Sequence, residues 1–175
     1  MTAPQQEGPA AAAPSRRPLL ALAVLVAVLA VAAVALAVVL GARLADRSAL
    51  EEARADALAA GRQAIVNLDS ISAETVDEDM DRVVASATGT FKDQFTRSRE
   101  DLKKLVVANR TESSGTVLSA GVISADTASA TLLVAADRRV KDATTPEAEV
   151  VHDRWRVYLE KRGGTWLVAK LEPVG

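Results

Sequence analysis

Between residues 19 and 40 the chain has no polar position: every residue is Ala, Val or Leu, with seven leucines and seven valines. At the helical rise this stretch is roughly 33 Å long, against a hydrocarbon core of about 30 Å. Those leucines and valines favour insertion by about 4–8 kcal/mol, an upper bound because mid-bilayer values apply. A buried soluble helix would need a polar face, which is missing here. A cleaved signal peptide is the nearer rival, since Arg16 and Arg17 resemble a charged n-region. Its apolar region, however, would be about twice the usual length, and Arg43 follows without a clear small-x-small cleavage site. The pattern predicts an uncleaved transmembrane helix over 19–40. A disordered tail over 1–18, rich in Pro, Ala and Gln, precedes it, and a juxtamembrane helix or linker over 41–54 follows. Arginines flank both ends, so positive charge does not set the orientation. A short tail can stay put while a larger domain is translocated. The expected topology is therefore a single-pass protein of the cell membrane, N-terminus cytoplasmic and C-terminal domain extracytoplasmic.

Past the apolar stretch a helical period sets in. Leu50, Ala53, Ala57, Ala60 and Ala64 keep the three-and-four spacing of one face, with Leu58, Ile65 and Leu68 beside it. A second helix is predicted after Ser72, which can cap it, with Glu74, Asp77, Glu78 and Asp79 in the early turns that favour negative charge. Thr88-Gly89 interrupts. A third helix carries Phe91 and Phe95 one turn apart, both expected on the buried side, then Leu102, Leu105 and Val106. After Asn109 the pattern alternates, and strands are predicted over 117–123, 128–136, 150–160 and 165–171. Gly163-Gly164 fits a two-residue hairpin turn that sets Arg162 opposite Thr165. That register puts Trp155, Val157, Leu159, Trp166 and Val168 on one face, the expected core. Arg154, Arg156, Tyr158, Leu167, Ala169 and Leu171 share the other, half-apolar face. Arg154, Arg156, Tyr158, Leu167 and Leu171 are accordingly the candidate partner contacts. Helices followed by antiparallel strands make residues 55–175 an α+β domain, with the helices on one side of a curved four-stranded sheet.

Composition adds mainly exclusions. The 175 residues carry a formal net charge of −2, without the clustered cationic face that nucleic acid needs. There is no cysteine, which removes disulfides, thiolate catalysis and Cys-ligated metals. His152 is the only histidine, and Asp153 beside it points to the opposite sheet face, so they form no dyad. Asp69, Asp126 and Asp137 are lone carboxylates near turns or strand ends, where Asp is common anyway. The Lys103-Lys104 and Arg138-Arg139 pairs read as solvated charge. No phosphate-binding glycine loop, nucleophile elbow or metalloprotease helix is present. No catalytic, cofactor or metal residues are assigned, and the expectation is a protein that is not an enzyme.

The residues Asn67-Leu68-Asp69-Ser70-Ile71, Ala87-Thr88-Gly89-Thr90-Phe91, Ala120-Gly121-Val122, Trp155-Arg156-Val157 and Gly164-Thr165-Trp166-Leu167-Val168 resemble those of the Mce-associated membrane proteins of actinobacteria. The chain departs from that pattern at Ser72-Ala73, where members often carry an aromatic residue. The resemblance implies an NTF2-like cone behind the membrane anchor. It also implies a non-enzymatic accessory or assembly role in Mce-type complexes that import lipids or sterols across the cell envelope. Two other functions suit the same architecture: a VirB8-like assembly factor of a secretion system, and an NTF2-like cavity protein that binds lipid or acts as an isomerase. The last of these requires a pocket with a buried Asp or His whose pKa is displaced by desolvation.

Overall fold

Three helices precede four strands: α1 (Arg17–Asp69), α2 (Val76–Ala85), α3 (Gly89–Ala108), β1 (Glu112–Ala125), β2 (Ser129–Lys141), β3 (Glu149–Arg162) and β4 (Thr165–Pro173). The structure is a computed structural model that describes residues 17–145 and 147–175, with the backbone alone at 17–28, 30 and 32. The predicted tail lies almost wholly outside the described residues. So do many side chains of the predicted span, although the backbone there is helical. Among the described residues no helix is long and apolar enough to cross a membrane. The C-terminal compact unit begins at Asp46, ahead of the predicted boundary at 55, because Ala53 already packs in its core.

Within that unit, small residues on α1 bring the helix close to the sheet. Ala53, Ala57, Ala64 and Ile65 are buried against Leu132, Val134, Val157 and Leu159 of β2 and β3. At Gly61 a Cβ would fall 2.3 Å from the Leu132 side chain, so the approach relies on the missing methyl. The helix ends where β1 takes over its polar groups. The Ser113 hydroxyl donates to the Asp69 carbonyl, and the Gly115 N–H donates to Ser70 Oγ at 2.9 Å. The first of these bonds occupies a carbonyl that a helix end otherwise leaves orphaned, and the second ties β1 to the residue just beyond the helix.

The second helix begins later than the sequence predicts. Ser72 is not its cap: it bridges to Glu112, while Thr75 precedes the first turn and makes no side-chain capping bond. The buried Asp79 organises this corner instead, accepting from the Ser72 N–H at 2.9 Å and the Thr75 hydroxyl at 2.8 Å. A second apolar cluster joins Met80 and Val83 of α2 to Phe95 and Val106 of α3. Phe95 is buried and Phe91 half-buried, with ring centroids 6.1 Å apart.

The sheet is an antiparallel meander in the order β1-β2-β3-β4. Gly163 (φ 57°) and Gly164 (φ 87°) form the predicted turn with Arg162 opposite Thr165. Val157, Leu159, Trp166 and Val168 are buried, and Trp155 packs against them, as expected. One placement is overturned. Tyr158 pairs with Lys170 but Leu159 pairs with Val168, so Ala169 is an unpaired bulge residue. The extra residue reverses the alternation beyond it, and Leu171 faces Val157 and packs on the core rather than on the outer face.

Candidate functional site

At the C-terminal end of α1 the chain leaves an open pocket of about 380 Å³. Leu68, Ile71, Leu102, Leu105 and Val106 form its apolar wall, and Trp155 reaches it from β3. Its polar side is Asp69 from α1, Asn109 beyond α3, Ser113 from β1 and Arg138 from β2. Asp69 is held in place by two close approaches. Its carbonyl is bonded by Ser113, and at Gly115 a Cβ would lie only 2.4 Å from the Asp69 Cβ. No side chain other than hydrogen fits between that strand and the aspartate.

The Asp69 carboxyl is 3% exposed. Burial, reinforced by the negative charge of Asp153 and opposed by Arg138, pushes its pKa up to about 6. Arg138 cannot neutralise it fully. Its Nε donates to Asp153 at 3.1 Å and lies 3.8 Å from Asp69 Oδ1. Two of the residues at this pocket also carry a fully buried polar atom without a hydrogen-bonding partner among the described residues, the acceptor Asp69 Oδ2 and the donor Trp155 Nε1. The pocket thus offers a carboxyl that titrates close to neutrality. The Ser113 hydroxyl is engaged as a donor to the Asp69 backbone carbonyl.

The predicted contact residues lie elsewhere. Arg154, Arg156, Tyr158 and Leu167 are on the outer face of the sheet, where much of the polar surface is self-paired. The Tyr158 hydroxyl donates to Glu172 at 2.8 Å, Lys170 pairs with Glu172 at 2.6 Å, and Arg156 lies 4.0 Å from it. Hydrogen bonds from Lys170 and Tyr158 hold the Glu172 carboxyl below its ordinary range. His152 is exposed and pairs across strands with Asp137 at 2.6 Å. Asp126 accepts the Ala128 and Ser129 N–H groups at a turn, which lowers its pKa. Among the described residues no group of three His, Asp or Glu side chains could hold a metal. Arg138, read from the sequence as solvated charge, stands instead between the buried Asp69 and the half-buried Asp153.

Sequence reasoning also missed a second surface. Leu118 falls between the pairs Val117–Ala136 and Ser119–Ala135, and Ile123 between Val122–Leu132 and Ser124–Thr131. Each is therefore an unpaired bulge residue, and they are 61% and 53% exposed. Leu133 of β2 is exposed as well. Strict alternation cannot reveal a bulge, so no sequence signal marks these positions.

Residues 18–175 match the family described as "Uncharacterized protein Rv1363c/MT1408-like". The chain is 35% identical over 120 residues to Uncharacterized protein Rv1363c of Mycobacterium tuberculosis, covering 68% of this chain and 46% of that one. It therefore spans less than half the length of that relative. It is 29% identical over 126 residues to Outer membrane protein Rv1973 of the same species, covering 70% and 76%. Among solved structures it is similar to an IcmL-like type IV secretion system protein from Legionella pneumophila, with a TM-score of 0.57 at 11% identity, covering 70% of this chain and 94% of that one. It is also similar to CagV, a VirB8 homolog from Helicobacter pylori, with a TM-score of 0.53 at 11% identity, covering 69% and 97%. At such identity the likeness is one of fold: helices on a four-stranded antiparallel sheet, as in VirB8-like and NTF2-like domains.

Proposed function

The chain belongs to the Rv1363c/MT1408-like family, and from that premise we propose that it is a membrane-anchored, non-enzymatic assembly module of a multisubunit transport machine in the cell envelope. The aliphatic stretch 19–40 is the anchor, and the α+β unit is an extracytoplasmic head that works through protein contacts. The observation that carries this reading is the state of β1. It is an edge strand with no charged residue from Ser113 to Ala125, and it turns Leu118 and Ile123 to solvent. Lone domains guard long edges with charge, proline or bulges; β1 has two bulges but no charge, and each bulge turns a large apolar side chain outward, which suits a subunit that is covered in its assembly. The relative named for the outer membrane supports an envelope location, and the fold shared with secretion-system proteins is compatible with a contact role. A place in an Mce-type lipid-import complex, which the sequence motifs imply, is the narrower form of the same reading.

The test is photo-crosslinking from position 118 in the full chain, followed by identification of the captured proteins. Envelope transport subunits are the expected products. Mce subunits would select the narrower form, and a secretion ATPase the VirB8-like one. Replacing Leu118 and Ile123 together by Asp should abolish capture from a site on neighbouring β2 while leaving the melting midpoint unchanged. Capture of no envelope subunit, or full capture by the Asp variant, would overturn the proposal.

A further inference from the structure

The open edge of β1 runs beside α1, and between them lies a groove of about 460 Å³. Ala59, Arg62 and Val66 of α1 form one wall, and Gly115, Thr116 and Val117 of β1 form the other. The start of this edge is already occupied by the chain itself. The Ser113 N–H donates to the Ile71 carbonyl at 3.2 Å and the Gly115 N–H to Ser70 Oγ at 2.9 Å, both on the side away from β2. Strand alternation points the Val117 N–H and carbonyl the same way, and no strand of the sheet lies there to meet them. Arg62 is half-buried in the groove and has no ion pair or hydrogen bond from its side chain to the described residues. Its neighbours one turn away, Leu58, Ala59, Ile65 and Val66, carry no charge.

On the premise that the head works through protein contacts, we propose that this groove takes an extended acidic segment of a partner protein, which adds to β1 as a further strand with a carboxylate on Arg62 and an apolar side chain against Val66 and Val117. The backbone must be extended, because the open N–H and carbonyl groups of a strand edge are matched by another strand, whereas a helix keeps its own groups bonded internally. The charge must be a carboxylate, whose two oxygens match the planar donor fork of a guanidinium. Alternation sets the rest of the pattern. Every second side chain of the incoming strand faces α1, and those between face the outer side, where Leu118 is exposed. A second copy of this chain pairing β1 with β1 fits less well. No acidic residue lies between Ser113 and Ala125, so both copies of Arg62 would be left without a counter-charge.

The experiment uses the full chain in lipid nanodiscs and a fluorescein-labelled, end-blocked peptide, Thr-Val-Thr-Glu-Thr-Val-Thr, which sets Val, Glu and Val on one face. Its anisotropy should rise saturably with the natural chain, and the same peptide with Lys in place of Glu should bind more weakly. Arg62 lies outside both apolar clusters, and Arg62→Glu should weaken the Glu peptide about tenfold and make the Lys peptide the tighter ligand, since attraction becomes repulsion. A second measurement needs no variant of the protein. Methylating the backbone nitrogens of one alternate set of peptide residues should abolish binding, while methylating the other set leaves it intact, because an added strand bonds along one side only. The proposal is overturned by no saturable binding at millimolar peptide, by indifference to Arg62→Glu, by equal binding of the two methylated peptides, or by self-association of the full chain that displaces the peptide. Absent peptide binding with envelope subunits still captured from position 118 would sink this mode of contact and leave the assembly role standing. Peptide binding without such capture would support the groove and remove the assembly role.

Discussion

Asp69 and Asp79 show how differently two buried aspartates can be treated within one small domain. Both are about 2% exposed. Asp79 accepts from the Ser72 N–H, the Thr75 hydroxyl and Arg82, so its charge is compensated. Asp69 has only a distant share of Arg138, and its carboxyl is raised from 3.8 to about 6. The sign of the linkage follows. Because the folded state holds the proton more tightly than the unfolded state, folding is favoured most below the unfolded value, and stability falls as pH rises from 3.8 to about 6. Above that the cost is constant, on the order of 2–3 kcal/mol. Asp69→Asn keeps the shape and removes the charge. It should therefore match the natural chain near about pH 4 and exceed its stability by about 2 kcal/mol near pH 7. Urea titrations at both pH values would measure this, and a difference that stays flat across the window would show that the carboxylate is not penalised. Nothing in the spacing Asn67-Leu68-Asp69-Ser70 marks this burial, because it arises from β1 folding back over the helix end. The alternation that put Trp155 in the core was legible; that its indole N–H would lack a partner was not.

At the element scale, the joint between α2 and α3 does more than reverse the chain. Ala87-Thr88-Gly89-Thr90 both starts α3 and forms a docking joint for β4. Ala87 bridges to Val168, the Thr88 N–H donates to the Val168 carbonyl at 2.8 Å, and the Val168 N–H donates to the Ser86 carbonyl at 2.9 Å. The Thr90 hydroxyl reaches the carbonyl of the bulged Ala169 at 3.1 Å. Gly89 makes the turn with φ 52°, and a Cβ there would sit 3.3 Å from that same carbonyl. Gly89→Ala should therefore cost about 1–3 kcal/mol, combining the left-handed penalty with crowding of the bulge. A shift of the urea midpoint would report it, and an unchanged midpoint would mean that the joint contributes nothing to the packing of α3 on β4. The helix face of Ala53, Ala57 and Ala64 and the two-glycine hairpin were readable because each is a local periodicity or a local turn. The late start of α2 and the three bulges were not. Each depends on a partner far away in sequence: Glu112 for Ser72, β2 for Leu118 and Ile123, and β3 for Ala169.

At the scale of the whole molecule, the buried apolar residues among those described begin at Ala53, and none of the described side chains of the aliphatic stretch belongs to the core of the head. The unit Asp46–Gly175 holds both apolar clusters and the whole sheet. A chain shortened to that unit should be soluble and unfold cooperatively, whereas the full chain should sediment with membranes and require detergent for release. Two opposing demands meet in the shortened chain. It holds every buried apolar residue among those described, yet it still presents Leu118, Ile123 and Leu133 on or beside an edge without charge. If that edge is normally covered in an assembly, the shortened chain should self-associate as concentration rises, and Leu118→Asp with Ile123→Asp should return it to a monomer without lowering its melting midpoint. Sedimentation velocity of the two proteins separates the possibilities. Loss of cooperative unfolding in the shortened chain would mean that residues before Asp46 stabilise the head. A monomer at every concentration, with Leu118 and Ile123 intact, would mean that the bulges protect the edge on their own and that contact with partners lies elsewhere.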